Sequence, residues 1–265
     1  LCCDLVHTVG DPFINNVGRV IESMLLWNLN EVGISRLALK YCSYSTIMPQ
    51  KRNPVSLETL RYSGEWTYGA LSTMFNTMKA YPQGNGREPG FVVSLYYEIA
   101  EKIKESAYLL EGIVRTLEVD KDRGLEVTKY GFCTVTDLAD EMVKSLGLSF
   151  SAAKKIVGKL VTIAHDENIS IDQVDSKLVA RAAKESLGME LEMDDTLIRH
   201  ALDPWENVSR RDIPGGPSPE RVQDMIDQGW KKIEEISAGW QEKVQADKDA
   251  SQHLMALAKS IAAQV

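Results

Sequence analysis

The chain has 265 residues, with 30 basic side chains against 38 acidic ones and a net charge of −8. That length supports one large or two ordinary domains around a sizeable core. The acidic balance excludes general nucleic-acid binding, and no apolar run approaches the ~20 residues that a membrane helix needs.

The opening residues, Leu1-Cys2-Cys3-Asp4, lack a basic region followed by an apolar core, so they do not read as a signal peptide. They also lack an initiator Met, and the sequence is expected to be a fragment. The cysteines, Cys2, Cys3, Cys42 and Cys133, form no Cys-x-x-Cys pair. A reduced, cytoplasmic protein is expected. The histidines His7, His165, His200 and His253 show no i, i+4 pair, so a zinc site is not expected; no cofactor is expected either.

In chain order, Asp11-Pro12 predicts a helix start, and Ile14, Val17, Ile21, Met24, Leu25 and Val32 predict a helix over 13–40. A polar stretch follows, Ser43-Tyr44-Ser45-Thr46-Ile47-Met48-Pro49-Gln50-Lys51-Arg52-Asn53-Pro54. Asn53-Pro54 reads as an N-cap with Pro at the first helical position. The second helix is predicted from Pro54 to about Lys79, with Leu57, Leu60, Trp66, Leu71, Met74 and Met78 on its stripe. Residues 81–90 are turn-rich. A third helix is predicted from about Phe91 to Glu118. Three long helices with short joints predict an up-and-down bundle.

The pattern changes near Asp120, where a domain boundary is predicted: 1–119 for the bundle and 120–265 for a small helical domain. Short helices are predicted between Thr136 and Gly147, from Ser151 to near His165, up to Gly188, and from Asp195 to Leu202. Ser218-Pro219 opens a last helix running toward Ala263. No internal repeat and no strand alternation of useful length is visible. The fold class is therefore all-α.

Read on its residues alone, the polar stretch has two readings. It is a plain inter-helix loop with a cap, or it is an anion site in which a helix N-terminus and the Lys51 and Arg52 cations meet one carboxylate. Its spelling resembles the signature loop of the fumarase/aspartase superfamily, Gly-Ser-Ser-x-x-Pro-x-Lys-x-Asn. Ser45, Thr46, Pro49, Lys51 and Asn53 hold the matching places, while Tyr44 replaces the Gly and Thr46 the second Ser. Met48-Pro49-Gln50-Lys51 with Arg52-Asn53-Pro54 looks most like the argininosuccinate lyase branch. The stretch Ala139–Val161, Leu202-Asp203-Pro204 and Gly215-Gly216-Pro217-Ser218-Pro219-Glu220-Arg221-Val222 resemble the C-terminal domain of the same branch.

That resemblance implies a carbon–nitrogen lyase releasing fumarate from an N-succinyl substrate. It implies Ser45, Lys51 and Glu58 as catalytic residues, with Ser45 the base and Glu58 orienting a histidine. It implies Thr46, Met48, Gln50, Asn53, Tyr81 and Gln83 as substrate contacts. The partner expected is a small dicarboxylate, and the assembly a homotetramer with shared active sites. The general acid is expected upstream of the sequence, so that the chain alone is inactive. Three alternatives stand beside this reading: a non-catalytic crystallin-like homologue, an adenylosuccinate-type lyase, and a helical scaffold whose loop binds an acidic partner.

Overall fold

The computed structural model describes residues 13–48, 50–79 and 86–263. The chain divides into two compact units, Leu1–Val127 and Thr128–Val265.

In the first unit a π-helical turn, Phe13–Val17, leads into helix α1, Gly18–Trp27. The helix predicted over 13–40 is therefore not continuous. Asn28, Asn30 and Gly33 end it, because short polar side chains and glycine favour local turns over helix. The Gly33 N–H bonds back to the Leu29 carbonyl at 2.7 Å, with Gly33 at φ 66°. The Asn28 side chain accepts the Leu37 N–H at 3.3 Å. Val32, at the end of the helical spacing, lies in this turn instead, its N–H donating to the Leu29 carbonyl at 3.1 Å.

Two short antiparallel ladders follow that the sequence did not announce. Strand β1, Ser35–Arg36, pairs with β4, Glu118–Val119. Strand β2, Ser43–Tyr44, pairs with β3, Arg52–Asn53. Two residues are too few to show a period-two pattern.

Helix α2, Val55–Met78, and helix α3, Glu88–Arg115, are the long elements of this unit. They run antiparallel as a bundle pair. Leu57 and Leu60 near the start of α2 share a core cluster with Ile113 near the end of α3. Ala70, Leu71 and Met74 near the end of α2 share another with Val92 and Ile99 of α3. The buried hydroxyls of Ser63 and Thr67 donate to the Thr59 and Ser63 carbonyls at 2.9 and 2.7 Å, so their burial leaves no polar atom stranded. Helix α3 starts earlier than predicted because Pro89 fits the first turn, and it stops earlier because Glu118 joins β4.

The division between the units falls within α4, Lys121–Tyr130. In the second unit come α5 (Val135–Leu146), α6 (Phe150–Asp166), α7 (Ser176–Leu187), α8 (Asp195–Leu202) and α9 (Pro204–Ser209). Their ends are written in the sequence. Ser149, Asp175, Asp194 and Asp203 cap α6 to α9 by accepting an N–H of the first turn. The opening of α6 lies at Ser149 rather than Ser151. Gly147 and Gly188 close α5 and α7 at φ 66° and 67°. One cluster built from Leu138, Met142, Ile156, Leu160, Val179 and Ile198 forms the core. The buried Thr134 hydroxyl donates to the Leu202 carbonyl at 2.8 Å.

The last helix, α10, Pro219–Ala262, has 44 residues, none of them buried. It is roughly 66 Å long at 1.5 Å per residue. The fold is all-α: a long antiparallel pair of an up-and-down bundle, then a small helical domain. Among the described residues, no helix is long and apolar enough to cross a membrane.

Candidate active site

The polar stretch is a hairpin. Its limbs are β2 and β3, in the register Ser43 with Asn53 and Tyr44 with Arg52. The tip carries residues 45–48, 50 and 51, and the return limb leads directly into α2. Local hydrogen bonds fix the tip. The Ser45 Oγ accepts the N–H groups of Ile47 at 3.3 Å and Met48 at 3.1 Å. The Lys51 N–H donates to the Met48 carbonyl at 3.0 Å. Ser45 is half-buried by this arrangement, whereas Thr46 and Met48 are exposed and Ile47 is 87 % exposed.

Helix α2 begins one residue later than predicted. Asn53 belongs to β3, and Pro54 is the cap, with φ −78° and ψ 54°. The pairing of Asn53 with Ser43 outcompetes its use as a cap. No side chain caps this end. The N–H groups of Leu57 and Glu58 both close on the Pro54 carbonyl, at 2.9 and 3.1 Å. The preceding amides of Val55 and Ser56 come before the first of these bonds, at the positive end of a helix of 24 residues. The Ser56 side chain is 6 % exposed, and its hydroxyl has no hydrogen-bond partner among the described residues.

Lys51, Asn53, Pro54 and Glu58 line one cleft of about 450 Å³, with Glu22, Glu31, Arg52 and Arg61 also on its walls. Arg61 reaches Glu22 across it at 3.4 Å. Lys51 and Glu58 make no ion pair among the described residues. Three of the sequence-predicted residues, Lys51, Asn53 and Glu58, are thus brought together. Ser45, Thr46 and Met48 sit on the tip and do not line the cleft. Gln50 lines a neighbouring cleft, and Arg52 borders both. Tyr81 and Gln83 lie outside the described residues, as does His7. Sequence reasoning missed Arg61, Glu22 and Ser56. The Glu22–Arg61 pair joins residues 39 apart and has no local signature.

Cys42 immediately precedes β2 and lines the neighbouring cleft. Burial raises its thiol above the ordinary range, and the nearby Arg52 charge opposes that rise. It is therefore a neutral thiol and a poor nucleophile at neutral pH. Among the described residues no group of His, Cys, Asp and Glu is arranged to hold a metal ion.

Residues 132–209 match the family described as argininosuccinate lyase C-terminal. An argininosuccinate lyase of Methanothermobacter thermautotrophicus is 36 % identical over 213 residues, 80 % of this chain and 46 % of that protein. One from Methanococcus maripaludis is 31 % identical over 240 residues, 91 % of this chain and 48 % of that protein. The structure of an EDDS lyase variant with bound fumarate superposes with a TM-score of 0.82 at 29 % identity, covering 93 % of this chain and 49 % of that one. The chain spans about half the length of the curated relatives it matches. A matched C-terminal domain, relatives aligned over most of the chain and a shared helical fold agree with the hairpin's spelling, and the chain belongs to the fumarase/aspartase superfamily, on its argininosuccinate lyase side.

Proposed function

We propose that this chain supplies the carboxylate-binding, carbanion-stabilising part of a carbon–nitrogen lyase that eliminates fumarate from an N-succinyl substrate, argininosuccinate being the first to test. The observation that carries this reading is the convergence of Lys51, Asn53 and the uncapped start of α2 on one cleft. The reaction removes a proton from a carbon beside a carboxylate. The electron pair left behind delocalises into that carboxylate, then forms the new C=C bond as the C–N bond breaks. A fixed cation and unbonded amides beside the carboxylate stabilise the charge as it develops. Lys51 supplies the cation, Val55 and Ser56 supply amides, and Asn53 supplies a polar side chain.

Ser45 is the base in this reading. Two amide donors on its Oγ favour the alkoxide over the hydroxyl. Since Ser45 stands off the cleft, the exposed tip must fold toward it for proton transfer, with β2 and β3 as the fixed stem. Glu58 orients an acid that protonates the leaving nitrogen. No histidine lines the cleft among the described residues, so this acid comes from another part of the enzyme. A homotetramer with shared sites would supply it. Exposed Tyr62 and Tyr68 on α2 and Tyr97 and Tyr108 on α3 are in keeping with a bundle face that other helices cover.

Fumarate release from argininosuccinate, followed by ultraviolet absorbance in enzyme assembled from complete subunits, tests the reading. Lys51→Met should lower kcat/KM by about 10²-fold or more, since loss of one preorganised charge-stabilising group typically costs that much. Turnover within tenfold of the unaltered enzyme would remove Lys51 from the carboxylate site.

A further inference from the structure

The geometry points to a second small-anion site, in the cleft of about 270 Å³ between β1 and the return limb of the hairpin, built from Ser35, Arg36, Gln50 and Arg52. It does not rest on the lyase reading.

Its floor is unusual for a protein interior. Ser35 is 1 % exposed, and its hydroxyl has no hydrogen-bond partner among the described residues. A buried, unpaired hydroxyl costs about 1–3 kcal/mol unless a ligand or water satisfies it. Arg36 and Arg52 stand at the rim, one from each ladder, and neither makes an ion pair among the described residues. Glu118 faces Arg36 across the β1–β4 ladder without pairing with it. Asn28 uses its side-chain oxygen on the Leu37 N–H and so keeps its NH₂ group to donate.

The charge balance separates this cleft from the one beside it. The cleft of Lys51 has Glu22, Glu31 and Glu58 on its walls against Lys51, Arg52 and Arg61. The Ser35 cleft has two guanidinium groups and no carboxylate. Its polar groups are donors or amides, the complement of an oxyanion. Its volume is roughly that of nine waters at about 30 Å³ each, enough for a phosphate or a four-carbon dicarboxylate. The ligand class is therefore a small oxyanion, held by two guanidinium groups and the Ser35 hydroxyl. Bound there, it bridges β1 to the limb that positions Lys51, tying the signature hairpin to its base.

The test is isothermal titration of the purified chain with inorganic phosphate and, separately, with succinate, at low and at raised ionic strength. Three variants are compared: Arg36→Gln, Ser35→Ala and Lys51→Met. Saturable binding should weaken about tenfold or more in Arg36→Gln, one charge-assisted hydrogen bond being worth roughly that factor. It should weaken by a smaller factor in Ser35→Ala, and phosphate binding should be unchanged in Lys51→Met, whose own cleft is proposed for carboxylates. Arg36 is exposed, so its variant should keep the circular dichroism spectrum and thermal midpoint of the parent. Phosphate binding with weak succinate binding assigns the site to phosphate, and succinate binding that survives Lys51→Met but is lost in Arg36→Gln assigns it to carboxylates. Absence of saturable binding for both ions, or phosphate binding lost in Lys51→Met and kept in Arg36→Gln, overturns the proposal. The second of those outcomes would leave the Lys51 carboxylate site standing.

Discussion

Ser45 differs from a free serine because the amides of Ile47 and Met48 converge on its Oγ. That hydroxyl therefore shapes the tip as well as serving as the proposed base. Ser45→Ala should speed amide hydrogen exchange at Ile47 and Met48 while leaving global stability within about 0.5 kcal/mol, as befits a loop residue outside the core. Unchanged exchange at both amides would deny the hydroxyl its structural part. The spacing of Ser45, Lys51 and Asn53 was legible because all three belong to one contiguous stretch. Ser35 was not legible. Its burial depends on β1 pairing with Val119, far downstream, and nothing near residue 35 announces that partner. Ser56 was hidden for a related reason: its hydroxyl is stranded by the packing of the α2 start, which no local pattern encodes.

At the scale of elements, the agreement between sequence and structure follows the caps. In the second unit, Asp, Ser and Gly stand at the helix ends and fix them within a residue or two. In the first unit the apolar spacing of residues 14–32 is helical, but Asn28, Asn30 and Gly33 break it, and the spacing alone could not show which would win. The Asn53-Pro54 reading failed by one residue because a two-residue ladder claimed Asn53. Tight approach also disciplines α3. The Tyr41 hydroxyl lies where a side chain at Gly112 would begin, and Tyr41 packs on the cluster of Ile21, Leu57 and Ile113. Gly112→Ala should therefore destabilise the first unit by about 1–3 kcal/mol, overpacking outweighing the better helix propensity of Ala. A thermal midpoint equal to or above that of the parent would contradict the close approach. Gly147→Ala, at φ 66°, should cost about 1 kcal/mol in the same assay.

Across the whole molecule, charge is arranged in local networks on the second unit. Arg181 bonds both Glu167 and Glu185, Lys184 bonds Glu190, and Arg221 bonds Asp212. Hydrogen bonds from these cations hold the four carboxyl groups below their ordinary range. A depressed carboxyl contributes stability that is fully present above its unfolded value and is lost as pH falls through its folded value. Urea midpoints should accordingly be flat from pH 7 to about pH 5 and fall below about pH 4.5, where unfolded carboxylates begin to protonate. Each pair is exposed, so the decline should be modest and should shrink in added salt. A midpoint that rises on acidification would contradict the assignment.

The central claim concerns the hairpin and the cleft beside it. The most direct measurement is a titration of the isotopically labelled chain with fumarate, followed by amide chemical shifts. Saturable changes are expected at Lys51, Asn53, Val55 and Ser56, with an affinity at least tenfold weaker in Lys51→Met. No saturable change at these amides, or an undiminished affinity in Lys51→Met, would contradict that claim.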